Sequence, residues 1–113
     1  MNTFTTVDEL QAQRERGGPL VLLDVRRRPV FEVADSTIPG ALWRDPEEVG
    51  VWSNELPKGA NTVVYCVHGH AVSQGVAARL KELGFDARYL EGGIEGWKEG
   101  GGETQPLDRR ETM

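Results

Sequence analysis

Hydrophobic residues in this chain fall into short blocks of two kinds. Leu20-Val21-Leu22-Leu23-Asp24-Val25 and Thr62-Val63-Val64-Tyr65-Cys66 are nearly continuous apolar runs. Turn-forming residues precede both, Gly17-Gly18-Pro19 in one case and Leu56-Pro57-Lys58-Gly59-Ala60-Asn61 in the other. A run without polar alternation suits a strand buried on both faces, as in a parallel sheet covered by helices. Ala87-Arg88-Tyr89-Leu90 reads as a third strand and Ala41-Leu42-Trp43 as a brief further one. Between these blocks the period lengthens. Val76, Ala77, Leu80 and Leu83 share one face of a helix predicted from about Val72 to Leu83 and stopped by Gly84. Thr6-Val7-Asp8-Glu9 reads as a capping box that opens an amphipathic helix through Leu10, Ala12 and Arg16. Pro29 with Phe31 to Asp35, the run Asp45-Pro46-Glu47-Glu48-Val49, and the segment holding Ile94 and Trp97 read as short helices.

Strands alternating with helices predict an α/β fold, with a mainly parallel central sheet and helices on both faces. A chain of 113 residues fits one domain, taken as residues 1–102, with residues 103–113 as a polar, flexible tail. The net charge of −5 argues against a nucleic-acid partner, which demands a basic face. No apolar run approaches the ~18–20 residues of a membrane span. The opening Met1-Asn2-Thr3-Phe4-Thr5-Thr6 has no basic or apolar signal region, so a cytoplasmic protein without a membrane partner is expected. Gly92-Gly93 and Gly100-Gly101-Gly102 lack the spacing or lysine of a phosphate-binding loop, and no cofactor is expected.

Chemistry concentrates at the only cysteine, Cys66. A single thiol excludes an internal disulfide and any zinc site that needs two thiolates. Cys66 ends a predicted central strand just before a helix, where ligands of open α/β sheets bind. Backbone N–H groups of the loop and of the first helical turn would face whatever sits there and would favour a thiolate. Val67-His68-Gly69-His70-Ala71 follows, with both histidines of the chain. Three plainer readings stand beside a nucleophile: a buried core thiol, a pair of solvent-facing histidines, and a Cys66-x-His68-x-His70 metal site. The last lacks an evident fourth ligand and the usual zinc spacing, so no metal is assigned. Arg26-Arg27-Arg28 reads as a solvated turn, or as a source of one cation, Arg26, near the thiol. Trp43, Trp52 and Trp97 read as core or pocket wall.

Four segments resemble the single-domain rhodanese family of sulfurtransferases. Leu22-Leu23-Asp24-Val25-Arg26 looks like that family's first strand end. Thr37-Ile38-Pro39-Gly40-Ala41 resembles its H-I-P-G-A segment, with Thr37 where histidine is common. Val63-Val64-Tyr65-Cys66 looks like the strand bearing its cysteine. Leu90-Glu91-Gly92-Gly93-Ile94-Glu95-Gly96-Trp97 is similar to its closing L-x-G-G-x-x-x-W motif. Each motif alone is short; together they span about residues 5–101 in the family's order and spacing.

The resemblance implies a sulfur relay. Cys66 takes a sulfane sulfur from a small donor, holds it as a persulfide cradled by Val67, His68, Gly69, His70 and Ala71, and passes it to cyanide, a thiol or a protein acceptor. Arg26 joins the substrate-binding set by the same resemblance. One departure stands out. The family's loop commonly carries an arginine where this chain has Ala71, and often a basic residue where it has Val67. This leaves the loop without a permanent cation, so weak use of a dianionic donor such as thiosulfate is expected. The alternative is a regulatory or non-catalytic module of the same fold that binds a partner or senses sulfane sulfur. Related phosphatases and arsenate reductases clamp an oxyanion with an arginine at the place of Val72, which disfavours that chemistry here.

Overall fold

Thr6 and Glu9 form the expected capping box. Glu9 N–H donates to Thr6 Oγ1 at 3.1 Å and Thr6 N–H donates to Glu9 Oε1 at 2.9 Å. The computed structural model describes residues 3–107. In chain order its elements are β1 (Phe4–Thr5), α1 (Val7–Arg16), β2 (Leu20–Asp24), α2 (Arg28–Val33), β3 (Ser36–Thr37) and β4 (Leu42–Trp43). A 3₁₀ turn (Pro46–Glu48), α3 (Val49–Trp52) and a second 3₁₀ turn (Ser53–Glu55) follow. The chain ends with β5 (Asn61–Tyr65), α4 (Ala71–Glu82), β6 (Asp86–Leu90), α5 (Gly93–Glu99) and β7 (Gln105–Pro106).

Five strands make one parallel sheet in the order β1-β6-β5-β2-β4. Successive strand residues point to opposite faces, and both faces are covered. On one face Leu23, Val25, Val64 and Ala87 pack with Val76, Ala77 and Leu80 of α4 and with Val49 and Trp52 of α3. On the other, Leu22, Val63, Tyr65 and Leu90 pack with Leu10 of α1 and with Ile94 and Trp97 of α5. Two covered faces explain why β2 and β5 read as unbroken apolar runs. Each large side chain fully buried there contributes about 1.5–3 kcal/mol.

Boundaries differ from expectation in informative places. Cys66 lies one residue beyond β5, and α4 starts at Ala71, so Ala71 belongs to the helix and not to the loop before it. The acidic run from Asp45 forms a 3₁₀ turn capped by Asp45 Oδ1, which accepts from Glu47 N–H at 3.0 Å, and feeds directly into α3. The tail expected from residue 103 is paired at its start. Trp97 Nε1 donates to the Glu103 carbonyl at 2.7 Å, and β7 pairs antiparallel with β3. Residues 108–113 of that tail lie outside the described residues. Among the described residues no helix is long and apolar enough to cross a membrane.

A buried polar network closes the carboxyl end of the sheet. Asp24 and Arg26 are only 1% and 5% exposed, and Arg26 Nη2 meets Asp24 Oδ2 at 2.6 Å. Arg26 Nη2 also donates to the Ser36 carbonyl, and Trp43 Nε1 donates to the Arg26 carbonyl. The Tyr65 hydroxyl lies 2.7 Å from Thr37 Oγ1 and accepts from Ile38 N–H at 3.2 Å. Burial, then the charge of Asp24, push the Tyr65 hydroxyl up to about 12.

That shift sets an alkaline limit. From about pH 10 to 12 the unfolded chain gives up the Tyr65 proton while the folded chain keeps it, so the folded state binds more protons and stability falls as pH rises. Denaturant unfolding is expected to lose about 2–3 kcal/mol across that window on account of this residue. The Tyr65→Phe variant, about 1 kcal/mol less stable at neutral pH for its lost hydrogen bonds, is expected to show a shallower decline. Parallel declines would contradict the assignment.

Candidate active site

β2 connects onward to β4 on one side, whereas β5 connects onward to β6 on the other. The crevice outside the carboxyl ends of β2 and β5 is therefore the topological switch point of the sheet, where ligands of this fold class bind. Cys66 is the first residue past β5. Arg26 lies just past β2 on the neighbouring strand, since Asp24 is in register with Tyr65.

The loop from Cys66 to His70 is held by its carbonyl side. Ile94 N–H donates to the Cys66 carbonyl at 2.9 Å and Glu95 N–H donates to the Val67 carbonyl at 3.1 Å. The first turn of α5 thereby satisfies donors that a helix start leaves orphaned. Each peptide is planar and trans, so the N–H groups of Val67 and His68 point away from α5. Gly69 has φ +74°, and Gln74 Nε2 holds its carbonyl at 2.9 Å. The first helical bond of α4 runs from Gln74 N–H to the His70 carbonyl at 3.1 Å, so the amides of Ala71, Val72 and Ser73 precede the helical ladder. Amides outside the helical ladder at a helix start are the kind of donor that can hold a negatively charged sulfur or oxygen.

Cys66 is 6% exposed and its Sγ lies 3.1 Å from Ser73 Oγ, a side chain with no exposure. Sequence reasoning did not place Ser73 in the site. The signal was available: residues 73, 76, 77 and 80 make the buried stripe of α4, and a serine in that stripe needs a buried partner. His68 and His70 are both exposed, with ring centroids 6.0 Å apart, and stand on the rim. Val67 is half-buried and Ala71 is exposed.

Arg26 lies at the correct end of the sheet, but its Nε and Nη2 are committed to Asp24 and to the Ser36 carbonyl. Burial pulls its guanidinium down, while the hydrogen bonds and charge of Asp24 outweigh burial and hold it protonated above its ordinary range. The paired carboxylate cancels much of its field at the loop. Among the described residues no group of three histidine, cysteine, aspartate or glutamate side chains converges to hold a metal ion.

Comparison with known proteins gives consistent matches. Residues 6–100 match the family model described as Rhodanese-like domain. The chain is 38% identical over 80 residues to the thiosulfate sulfurtransferase GlpE of Coxiella burnetii, covering 70% of this chain and 72% of that protein. Among solved structures, a full-length protein from Lactobacillus plantarum superposes with a TM-score of 0.84 at 27% identity, over 93% of this chain and 88% of that one. The rhodanese-like domain of an Anabaena protein superposes with a TM-score of 0.79 at 29% identity, over 95% and 81%.

The loop's carbonyl anchorage is testable at Gly93. Its φ is +62°, and a Cβ there would lie 2.4 Å from the Val67 carbonyl oxygen and 2.5 Å from that of Cys66. Gly93→Ala is expected to destabilise the fold by about 2 kcal/mol or more and to speed hydrogen exchange at the Ile94 and Glu95 amides. Gly59→Ala, which meets nothing within 4 Å, serves as control and is expected to stay within about 0.5 kcal/mol of the parent. Equal effects would show that the contact does not hold the loop.

Proposed function

The chain belongs to the rhodanese-like domain family, and from that premise we propose that it is a sulfurtransferase working through a Cys66 persulfide. The observation that carries this reading is the setting of Cys66: one nearly buried sulfur at the switch point, 3.1 Å from Ser73 Oγ, above a loop whose carbonyls are bound behind it. The relative from Coxiella burnetii carries the name thiosulfate sulfurtransferase, which supports the reaction class.

In the loading step the Cys66 thiolate attacks the outer sulfur of the donor. With thiosulfate, a sulfur–sulfur bond forms to Cys66, the donor's own sulfur–sulfur bond breaks, and sulfite leaves with the bonding pair. The amides of residues 67–73 hold the terminal sulfur of the resulting anionic persulfide, and Ser73 Oγ, which accepts from the Cys66 thiol at 3.1 Å, reverses to donate once the sulfur has no proton. In the discharge step an acceptor sulfur or cyanide carbon attacks that terminal sulfur, and Cys66 leaves as thiolate. With no second cysteine in the chain, the acceptor is external.

Charge sets donor preference. The loop has neither lysine nor arginine, and Arg26 is paired with Asp24. A dianionic donor therefore lacks a charge-assisted bond of the kind worth ~1.5–3 kcal/mol. Neutral or singly charged donors, among them mercaptopyruvate and low-molecular-weight persulfides, lose less. The same missing cation favours a second reading, a sensing or partner-binding module that holds sulfur without turning it over.

Incubation with a sulfane donor is expected to raise the intact mass by one sulfur atom. Cyanide is expected to remove the gain, and Cys66→Ser to abolish it. Ser73→Ala is expected to load roughly five- to tenfold more slowly, the scale of a ~1 kcal/mol hydrogen bond to sulfur. An adduct that forms but resists cyanide and thiols would select the sensing reading, and no adduct with any donor would overturn the sulfurtransferase and leave the partner-binding module.

Steady-state comparison is expected to give thiosulfate a kcat/KM at least about tenfold below that of a low-molecular-weight persulfide, following from the missing charge-assisted bond. Thiosulfate as the best donor would overturn the charge argument.

A further inference from the structure

β4 ends the sheet, and among the described residues no strand pairs with its outer edge. The large apolar side chains that stand open to solvent gather around that edge: Val30 and Val33 of α2, Leu42 of β4 and Val51 of α3, between 41% and 84% exposed. Scattered singly, such residues need no explanation, but a cluster marks a contact surface. α2 buries none of its residues, and it meets the fold through Phe31, whose ring stacks on Trp43 with centroids 5.1 Å apart. Strand register places the two flanks. Leu42 pairs with Leu23, on the face covered by α3 and α4, whereas Trp43 pairs with Asp24, which is level with Tyr65 on the opposite face. α3 therefore borders β4 on one side of the sheet and α2 on the other. Their charges are opposite. Arg27 and Arg28 open α2, Glu47 and Glu48 precede α3, and all four are exposed. Both pairs lie at the carboxyl end of the edge, since Arg28 Nη2 meets Asp45 Oδ2 at 3.3 Å. Among the described residues Arg27, Glu47 and Glu48 have no ion-pair partner.

A partner that covers this edge needs an apolar centre, acids opposite α2 and bases opposite α3. A second copy of the chain meets all three requirements. A two-fold axis running along β4 keeps the carboxyl ends level and exchanges the flanks, so that α2 of each copy meets the α3 side of the other. Arg27 and Arg28 then face the partner subunit's Glu47 and the partner subunit's Glu48. Val30 and Val33 face the partner subunit's Leu42 and the partner subunit's Val51. An axis perpendicular to the sheet would set each flank against its own copy and hold the opposite charges apart. It would also depend on pairing through a strand of only 2 residues. We infer that the β4 edge is the interface of a symmetric homodimer, with apolar contact at its centre and two reciprocal sets of opposite charges that fix its orientation. The inference stands apart from the sulfurtransferase reading, because it uses neither Cys66 nor its loop.

Sedimentation velocity of the full chain is expected to show a dimer that dissociates on dilution and weakens on the order of tenfold from low to high salt. Val33→Asp and Leu42→Asp, both at exposed positions, are expected to keep the circular dichroism and melting temperature of the parent and to sediment as monomers. Arg27→Glu and Glu47→Arg are each expected to raise the dimer dissociation constant about tenfold. Combined, they exchange the charges across the interface and are expected to bring it back to within about threefold of the parent. A monomer at every concentration, a dimer unmoved by Val33→Asp and Leu42→Asp, or a double variant no tighter than the singles would overturn the interface. Sulfur loading of Cys66, read by intact mass, keeps the two readings separate. A monomer that loads sulfur refutes only the dimer, and a dimer that loads none refutes only the sulfurtransferase.

Discussion

The reactive loop keeps its shape because two backbone turns touch with no side chain between them. A Cβ at Gly69 would lie 2.8 Å from Gly92 N and from the Leu90 carbonyl oxygen, and one at Gly93 would overlap the Cys66 and Val67 carbonyls. At this closeness Ile94 N–H and Glu95 N–H reach those carbonyls, and the opposite edge of the same peptides is left to face a ligand. α5 can hold that position because Ile94 and Trp97 anchor it in the core beneath the sheet. Stability of the lower core is thus transmitted to the geometry around one sulfur. Without the glycines the helix would stand off, and the loop amides would lose their orientation.

Charge follows a different logic. Arg26 would be the obvious cation for an anionic donor, since it sits beside the loop on the adjoining strand. The fold spends it elsewhere, in a buried pair with Asp24 that also binds the Ser36 carbonyl and lies near the ring of Tyr65. Breaking such a pair leaves an uncompensated buried charge, so Arg26 is not free to swing toward substrate. What remains to stabilise an anion is a set of neutral dipoles from backbone and Ser73. Preorganised dipoles of this kind serve a thiolate or persulfide sulfur well, because they need no reorganisation as charge moves between sulfurs. A dianion gains less from them than from a guanidinium.

Much of this was legible in the sequence, for reasons that differ by residue. The capping box at Thr6 and the helical stripe of Val76, Ala77 and Leu80 are local patterns, and they appear where the residues put them. The apolar runs of β2 and β5 announce a covered parallel sheet, and Cys66 at the end of one follows from where that run stops. The two-residue strands β1, β3 and β7 were not legible, because two residues carry no period and their pairing depends on distant partners. The early portion of the expected tail is fixed by Trp97 and by β3, long-range contacts that composition does not encode. Ser73 is hidden from a reading of the loop alone, because the helix begins at Ala71 and its turn brings Ser73 inward.

The lone thiol poses a problem of access. On the proposed persulfide route, the only cysteine has no partner within the chain to resolve it, so an outside sulfur would have to approach a residue that is 6% exposed. Nothing charged in the loop draws it there, and the histidines stand at the rim. Contacts remote from the reacting sulfur can supply what the loop does not, provided they hold the acceptor in line with the sulfur–sulfur bond.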